Sequence, residues 1–144
     1  MAVFSASMIK DLRDRTGLGM MECKRALAES EGDIDKAIDD LRKSSGIKAA
    51  KKAGRIAADG VVAVRLSEDN TYGVMIEVNT ETDFAARDDA FLKFVETSLN
   101  IAFDAKKLCF DEFVVDMDEA RQALVQKIGE NINIRRVETI RSPV

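Results

Sequence analysis

The sequence predicts an α+β protein: a three-helix bundle, a basic helical linker, and a small three-stranded antiparallel sheet packed with helices. Three observations lead there. Apolar residues recur at helical spacing through the first forty or so positions. The period changes after Gly60 to short β-branched runs. Helical spacing then returns near Asp88, and the chain closes on an alternating stretch at Ile132 and Ile134.

Each element follows from its residues. Ser5 suits an N-cap, because its hydroxyl can accept an orphan backbone N–H. Phe4 and Ile9 flank it with the spacing of a hydrophobic staple. Met8, Ile9 and Leu12 share a face, and Gly17 can end the helix. A second helix is expected from about Met20 to Ser30, with Cys23, Ala26 and Leu27 inward and Gly32 as the stop. Asp33 caps a third, in which Ile34, Ala37, Ile38 and Leu41 are spaced i, i+3, i+4, i+7. Helices this short cannot hold themselves and must pack on one another. Arg42 to Arg55 is basic and rich in alanine, which predicts a solvated helical linker leaving the bundle. Val61–Leu66 and Val74–Val78 read as a hairpin around the turn residues 67–71. A helix from about Asp88 to Ala105 turns Phe91, Val95, Leu99, Ala102 and Phe103 inward, with Phe94 adjacent. A looser stretch, Lys106 to Val115, precedes a helix starting at Asp116 or Asp118 and stopped by Gly129. Ile132 and Ile134 alternate with Asn131, Asn133 and Arg135 as a third strand. The expected organisation is therefore a head at 1–45, a linker at 46–58 and an α+β unit at 59–144.

Composition narrows function. The chain is 144 residues long, 46% hydrophobic and 33% charged, with a net charge of −4. This is the balance of a chain that can bury a core. The acidic balance argues against nucleic acid as a direct partner, since neutralising phosphates needs a cationic surface. The sharper reading of Arg42 to Arg55 as an RNA contact lacks interleaved aromatic residues for stacking. There is no histidine, which removes Ser-His-Asp and Cys-His chemistry within the chain. The two cysteines, Cys23 and Cys109, form no metal-binding or redox pair, so no metal and no cofactor is expected. The opening residues lack a basic signal-peptide start, and no run is apolar enough to span a bilayer. A cytoplasmic protein without a membrane partner and without enzymatic activity is the expectation.

Several blocks of the chain resemble the bacterial elongation factor Ts family. They are Leu12–Leu27 (LRDRTGLGMMECKRAL), Glu31–Ile34, Gly46–Gly54, Ala58–Val61, Glu77–Asp88 (EVNTETDFAARD) and Lys127–Arg136 (KIGENINIRR). They occur in the family's order and span nearly the whole chain. The resemblance implies that the head is a bundle of the ubiquitin-associated (UBA-like) type. It also implies an exchange factor that promotes GDP release from the translational GTPase elongation factor Tu by binding alone. Family members normally continue into a second core subdomain. That leaves a docking module without efficient exchange as the alternative, and a short natural form, a decayed gene product or a fragment as readings of the chain's length.

The site residues carry over from the resemblance one by one. Thr82, Asp83 and Phe84 would form the working tip, with Phe84 as an apolar wedge. Read from its residues alone, that run is a helix-start Asp followed by a core Phe. Leu12, Arg13, Met20, Met21 and Lys24 would form a second contact edge on the head. Adjacent methionines cannot share one helical face, so at least one of Met20 and Met21 must look outward. Ile128, Gly129 and Asn131 would lie near the same partner, and Gly129 is also a natural C-cap.

Overall fold

The computed structural model describes residues 4–143. Residues 1–3 and Val144, the ends of the expected spans 1–45 and 59–144, lie outside them. The order is α1 (Ala6–Thr16), α2 (Met20–Glu29), α3 (Ile34–Lys52), β1 (Asp59–Leu66), β2 (Tyr72–Thr80), α4 (Asp83–Ala86), α5 (Asp89–Ala105), α6 (Phe110–Ile128) and β3 (Ile132–Arg141). This is an α+β architecture with an antiparallel sheet in the order β1-β2-β3.

The caps behave as their residue types dictate. The Ser5 hydroxyl accepts from the Met8 N–H, and the Asp33 carboxylate accepts from the Lys36 N–H. Asp88 accepts from both Ala90 N and Phe91 N at the start of α5. Gly17 and Gly129 end α1 and α6 in the left-handed conformation, at φ 71° and 86°. α1, α2 and the first half of α3 enclose one apolar cluster built on Leu12, Leu18, Cys23, Leu27, Ala37 and Leu41, with Phe4 and Ile9 packed against it. The second cluster lies between the sheet and α5 and α6, around Val74, Ile76, Val78, Phe91, Val95, Phe113 and Val125.

Three elements differ from expectation. α3 does not end with the bundle: it continues through the basic stretch as a single helix of 19 residues. Nor is its second half a solvated rod, because Ser45 and Ala49 are buried, in register with Ala37 and Leu41. α6 starts at Phe110, well before Asp116. Phe113, Met117 and Leu124 are buried on one face of it, and packing of that stripe holds the helix together. β3 runs to Arg141 along the full length of β2. A bulge between Glu77 and Val78 lets Arg135 and Arg136 both reach the Glu77 carboxylate, at 3.1 and 3.0 Å.

A polar junction fastens the head to α6. Lys48 Nζ lies 2.7 Å from Glu22 Oε1, Gln126 Nε2 donates to the same oxygen, and Ser45 Oγ meets Gln126 Oε1. Burial works to raise the Glu22 pKa. The hydrogen bonds from Lys48 and Gln126, with the Lys48 charge, outweigh it and hold the group below its ordinary 4.5. A folded-state pKa below the unfolded one contributes stability above the unfolded value and loses it as pH falls through the folded value. Glu22→Gln should therefore melt lower than the wild type at pH 7, and the gap should close on acidification. Melting curves at pH 7 and pH 3 check this, and a gap that does not change with pH would refute it.

Candidate functional site

The end of the molecule beyond Thr80 is built around a single helical turn. Thr82 caps α4, its hydroxyl accepting from the Ala85 N–H at 3.2 Å. Successive helical residues point about 100° apart. Ala85 and Ala86 are buried, so Asp83 and Phe84 face outward. Phe84 is 81% exposed, which removes the core reading of this residue. Asp83 lies 3.7 Å from Arg87 on the same exposed surface, a pairing that contributes little to stability.

Two carboxylates tie this turn to the segment that follows α6. Glu130 accepts from Thr82 N at 2.9 Å, Thr82 Oγ1 at 2.7 Å and Thr80 Oγ1 at 3.1 Å. Glu81 in return accepts from Asn131 N at 3.1 Å and lies 3.6 Å from the Arg55 guanidinium. Asn131 completes the brace, donating from Nδ2 to the Arg55 carbonyl at 2.8 Å. Gly129 reverses the chain after α6 and delivers Glu130 to the threonines. Charge-assisted bonds of this kind are stronger than neutral ones. They hold an exposed aromatic group on a stiff mount.

The sequence-predicted residues fall into three groups by burial. Arg13, Met20, Met21, Lys24, Asp83 and Phe84 are exposed. Met20 and Met21 are 45% and 75% exposed, so both look outward. Leu12 and Asn131 are buried, at 0% and 1%. Leu12 therefore offers no surface to a partner and supports its helix from inside, because it sits on the face that meets α2 and α3. Asn131 spends its side-chain donor on the brace. Thr82 and Ile128 are half-buried supports.

The head meets the end of α6 through residues that neighbour its exposed groups. Glu22, next to Met21, bonds Gln126, and a Cβ on Gly17 would stand 3.4 Å from Lys127 Nζ. Glu22 and Gly17 thus lie against the last turn of α6, whose continuation through Gly129 and Glu130 holds the tip. Sequence reasoning missed Arg55, Glu81 and Glu130. Their roles arise only from partners far along the chain, and the repeated Glu-polar pairs Glu81-Thr82 and Glu130-Asn131 were the one local cue. Cations of the basic stretch also find partners inside the fold: Arg42 meets Glu119 at 3.1 Å, alongside the Lys48 and Arg55 pairs. Among the described residues no cluster of three or more His, Cys, Asp or Glu could hold a metal, and no helix is long and apolar enough to cross a membrane. The arrangement offers contact chemistry: an aromatic wedge, a carboxylate beside it, and a methionine-rich second patch.

Residues 81–143 match the family model described as elongation factor TS. The chain is 63% identical, over its whole length, to a protein of Hahella chejuensis named elongation factor Ts. It is 64% identical over 94% of its length to a protein of that name from Saccharophagus degradans, and 54% identical over its whole length to one from Pseudomonas aeruginosa. The chain covers 51%, 47% and 50% of those three proteins, so it spans about half the length of the curated relatives it matches.

Proposed function

We propose, from the premise that the chain belongs to the elongation factor Ts family, that it acts in translation elongation by promoting GDP release from elongation factor Tu. The observation that carries this is Phe84, exposed on a turn that two carboxylates hold rigid. An aromatic side chain kept in water has no folding role, whereas at an interface it is the kind of group that supplies binding energy. Phe84 enters an apolar pocket between helices of the GTPase beside its nucleotide site. Asp83 brings a carboxylate on a short stem against a donor there. Arg13, Met20, Met21 and Lys24 form the second grip, where methionine adapts to the partner's surface.

No bond is made or broken. The protein binds the nucleotide-free GTPase more tightly than the loaded one, and linkage requires it to weaken nucleotide binding by the same factor. It needs no cofactor and no metal of its own, takes no nucleic acid as a direct partner, and works in the cytoplasm.

Release of labelled GDP from elongation factor Tu tests this. The release rate should rise and saturate as the chain is added, and added GDP should weaken the chain's binding by the same factor. An unchanged rate at concentrations where the two proteins bind would replace this reading with its alternative, a docking module without exchange activity.

A further inference from the structure

The tip carries a second apolar group. Among the described residues the two most exposed large apolar side chains are Ile56, at 85%, and Phe84, at 81%. They are far apart in sequence, yet the fold brings their segments to one end. Ile56 directly follows Arg55, whose guanidinium lies 3.6 Å from Glu81 and whose carbonyl accepts from Asn131 at 2.8 Å. Asp59, three residues on, opens β1 opposite Thr80. The short stretch bearing Ile56 is thus tied at both ends to Thr80-Glu81, immediately before the turn that presents Phe84.

We propose that Ile56 is a second apolar contact with the same GTPase, docking next to Phe84. This rests on the exchange-factor reading above. Single exposed apolar residues are common on protein surfaces and mean nothing alone. Here the residue lies at the same end of the molecule as Phe84, on backbone held by the same brace. A β-branched side chain has a stiff χ1, so little freedom remains to be lost on docking. The cation next to Ile56 in the chain, Arg55, is paired with Glu81. The complementary surface is therefore an aliphatic slot on the partner, next to the pocket for Phe84.

Affinity of the full chain for nucleotide-free elongation factor Tu tests this with Ile56→Ala, Ile56→Val and Phe84→Ala. Ile56→Ala should weaken binding about five- to tenfold and Ile56→Val less than about twofold, with melting temperatures unchanged. Wild-type affinity for Ile56→Ala alongside a loss for Phe84→Ala would overturn the proposal and leave the exchange reading standing. Wild-type affinity for all three variants would overturn this proposal and remove the Phe84 contact with it, while the exchange reading itself stands or falls on the GDP release rate. A methyl cross-saturation measurement separates contact from fold effects. Saturating the partner should attenuate the Ile56 δ1 methyl and spare that of Ile101, which is 44% exposed on α5. An unattenuated Ile56 methyl in the bound complex would overturn the contact.

Discussion

Phe84→Ala is expected to reduce the chain's acceleration of GDP release at least about thirtyfold, which corresponds to roughly 2 kcal/mol of interface energy. The same change should leave the melting temperature within about 2 °C of the wild type. Phe84 is 81% exposed, so its ring contributes little to the core that holds α4 in place. That anchoring comes from Ala85 and Ala86 below the turn and from Glu130 through Thr82. Alanine is also a better helix former than phenylalanine, so the turn itself should persist. Phe84→Leu should retain part of the activity, because it keeps an apolar side chain and gives up the ring. GDP release for the three proteins, with a melting curve for each, makes the check. Wild-type exchange by Phe84→Ala would remove the wedge from the mechanism.

Gly60→Ala is expected to cost about 3 kcal/mol or more of stability. Gly60 sits in β1 opposite Asn79 with φ 148°, a conformation L side chains rarely adopt. A Cβ there would lie 2.1 Å from the Val78 carbonyl oxygen and 2.8 Å from Asn79 Cα. Both are backbone atoms of the central strand, so no rotamer change can relieve the contact. One strand has to move, and pairing next to Asp59 and Thr80 is lost. For a chain of this length the melting temperature should fall by about 10 °C. Thr80 and Glu81 also anchor the tip, so exchange should weaken even at temperatures where the fold survives. Melting curves, with amide exchange at Val78 to Thr80, report both effects. A melting temperature within about 2 °C of the wild type would show that the strands yield more easily than this geometry allows.

The two variants separate two things the residues signal very differently. Gly60 is legible as a break between helical and β-branched runs, and Phe84 as one aromatic residue in a polar stretch. Local spacing identified most caps and inward faces, because these depend on neighbours within about four positions. It placed Ser5, Asp33, Asp88, Gly17 and Gly129 correctly. It failed where a distant surface decides the state of a segment. The basic second half of α3 is held by Ser45 and Ala49 facing α6, and the start of α6 by Phe113 reaching the core. Leu12 and Asn131 belong to motifs that point to a partner, yet both are buried. Motif membership does not tell whether a side chain faces in or out.

By itself, the sequence determined the α+β class, the order of head, hairpin, helices and final strand, and the kinship with elongation factor Ts. These rest on periodicity, caps and motif order, all of which are written along the chain. Only the tertiary structure decided that Phe84 faces water, that Glu81 and Glu130 hold it, and that Ile56 stands at the same end. The physical reason is separation: Glu130 lies 48 residues from the Thr82 it fixes, and Asn131 lies 76 from the Arg55 carbonyl it holds. No local pattern encodes a hydrogen bond across such a distance. It exists only once the sheet has paired and Gly129 has turned the chain back toward the tip.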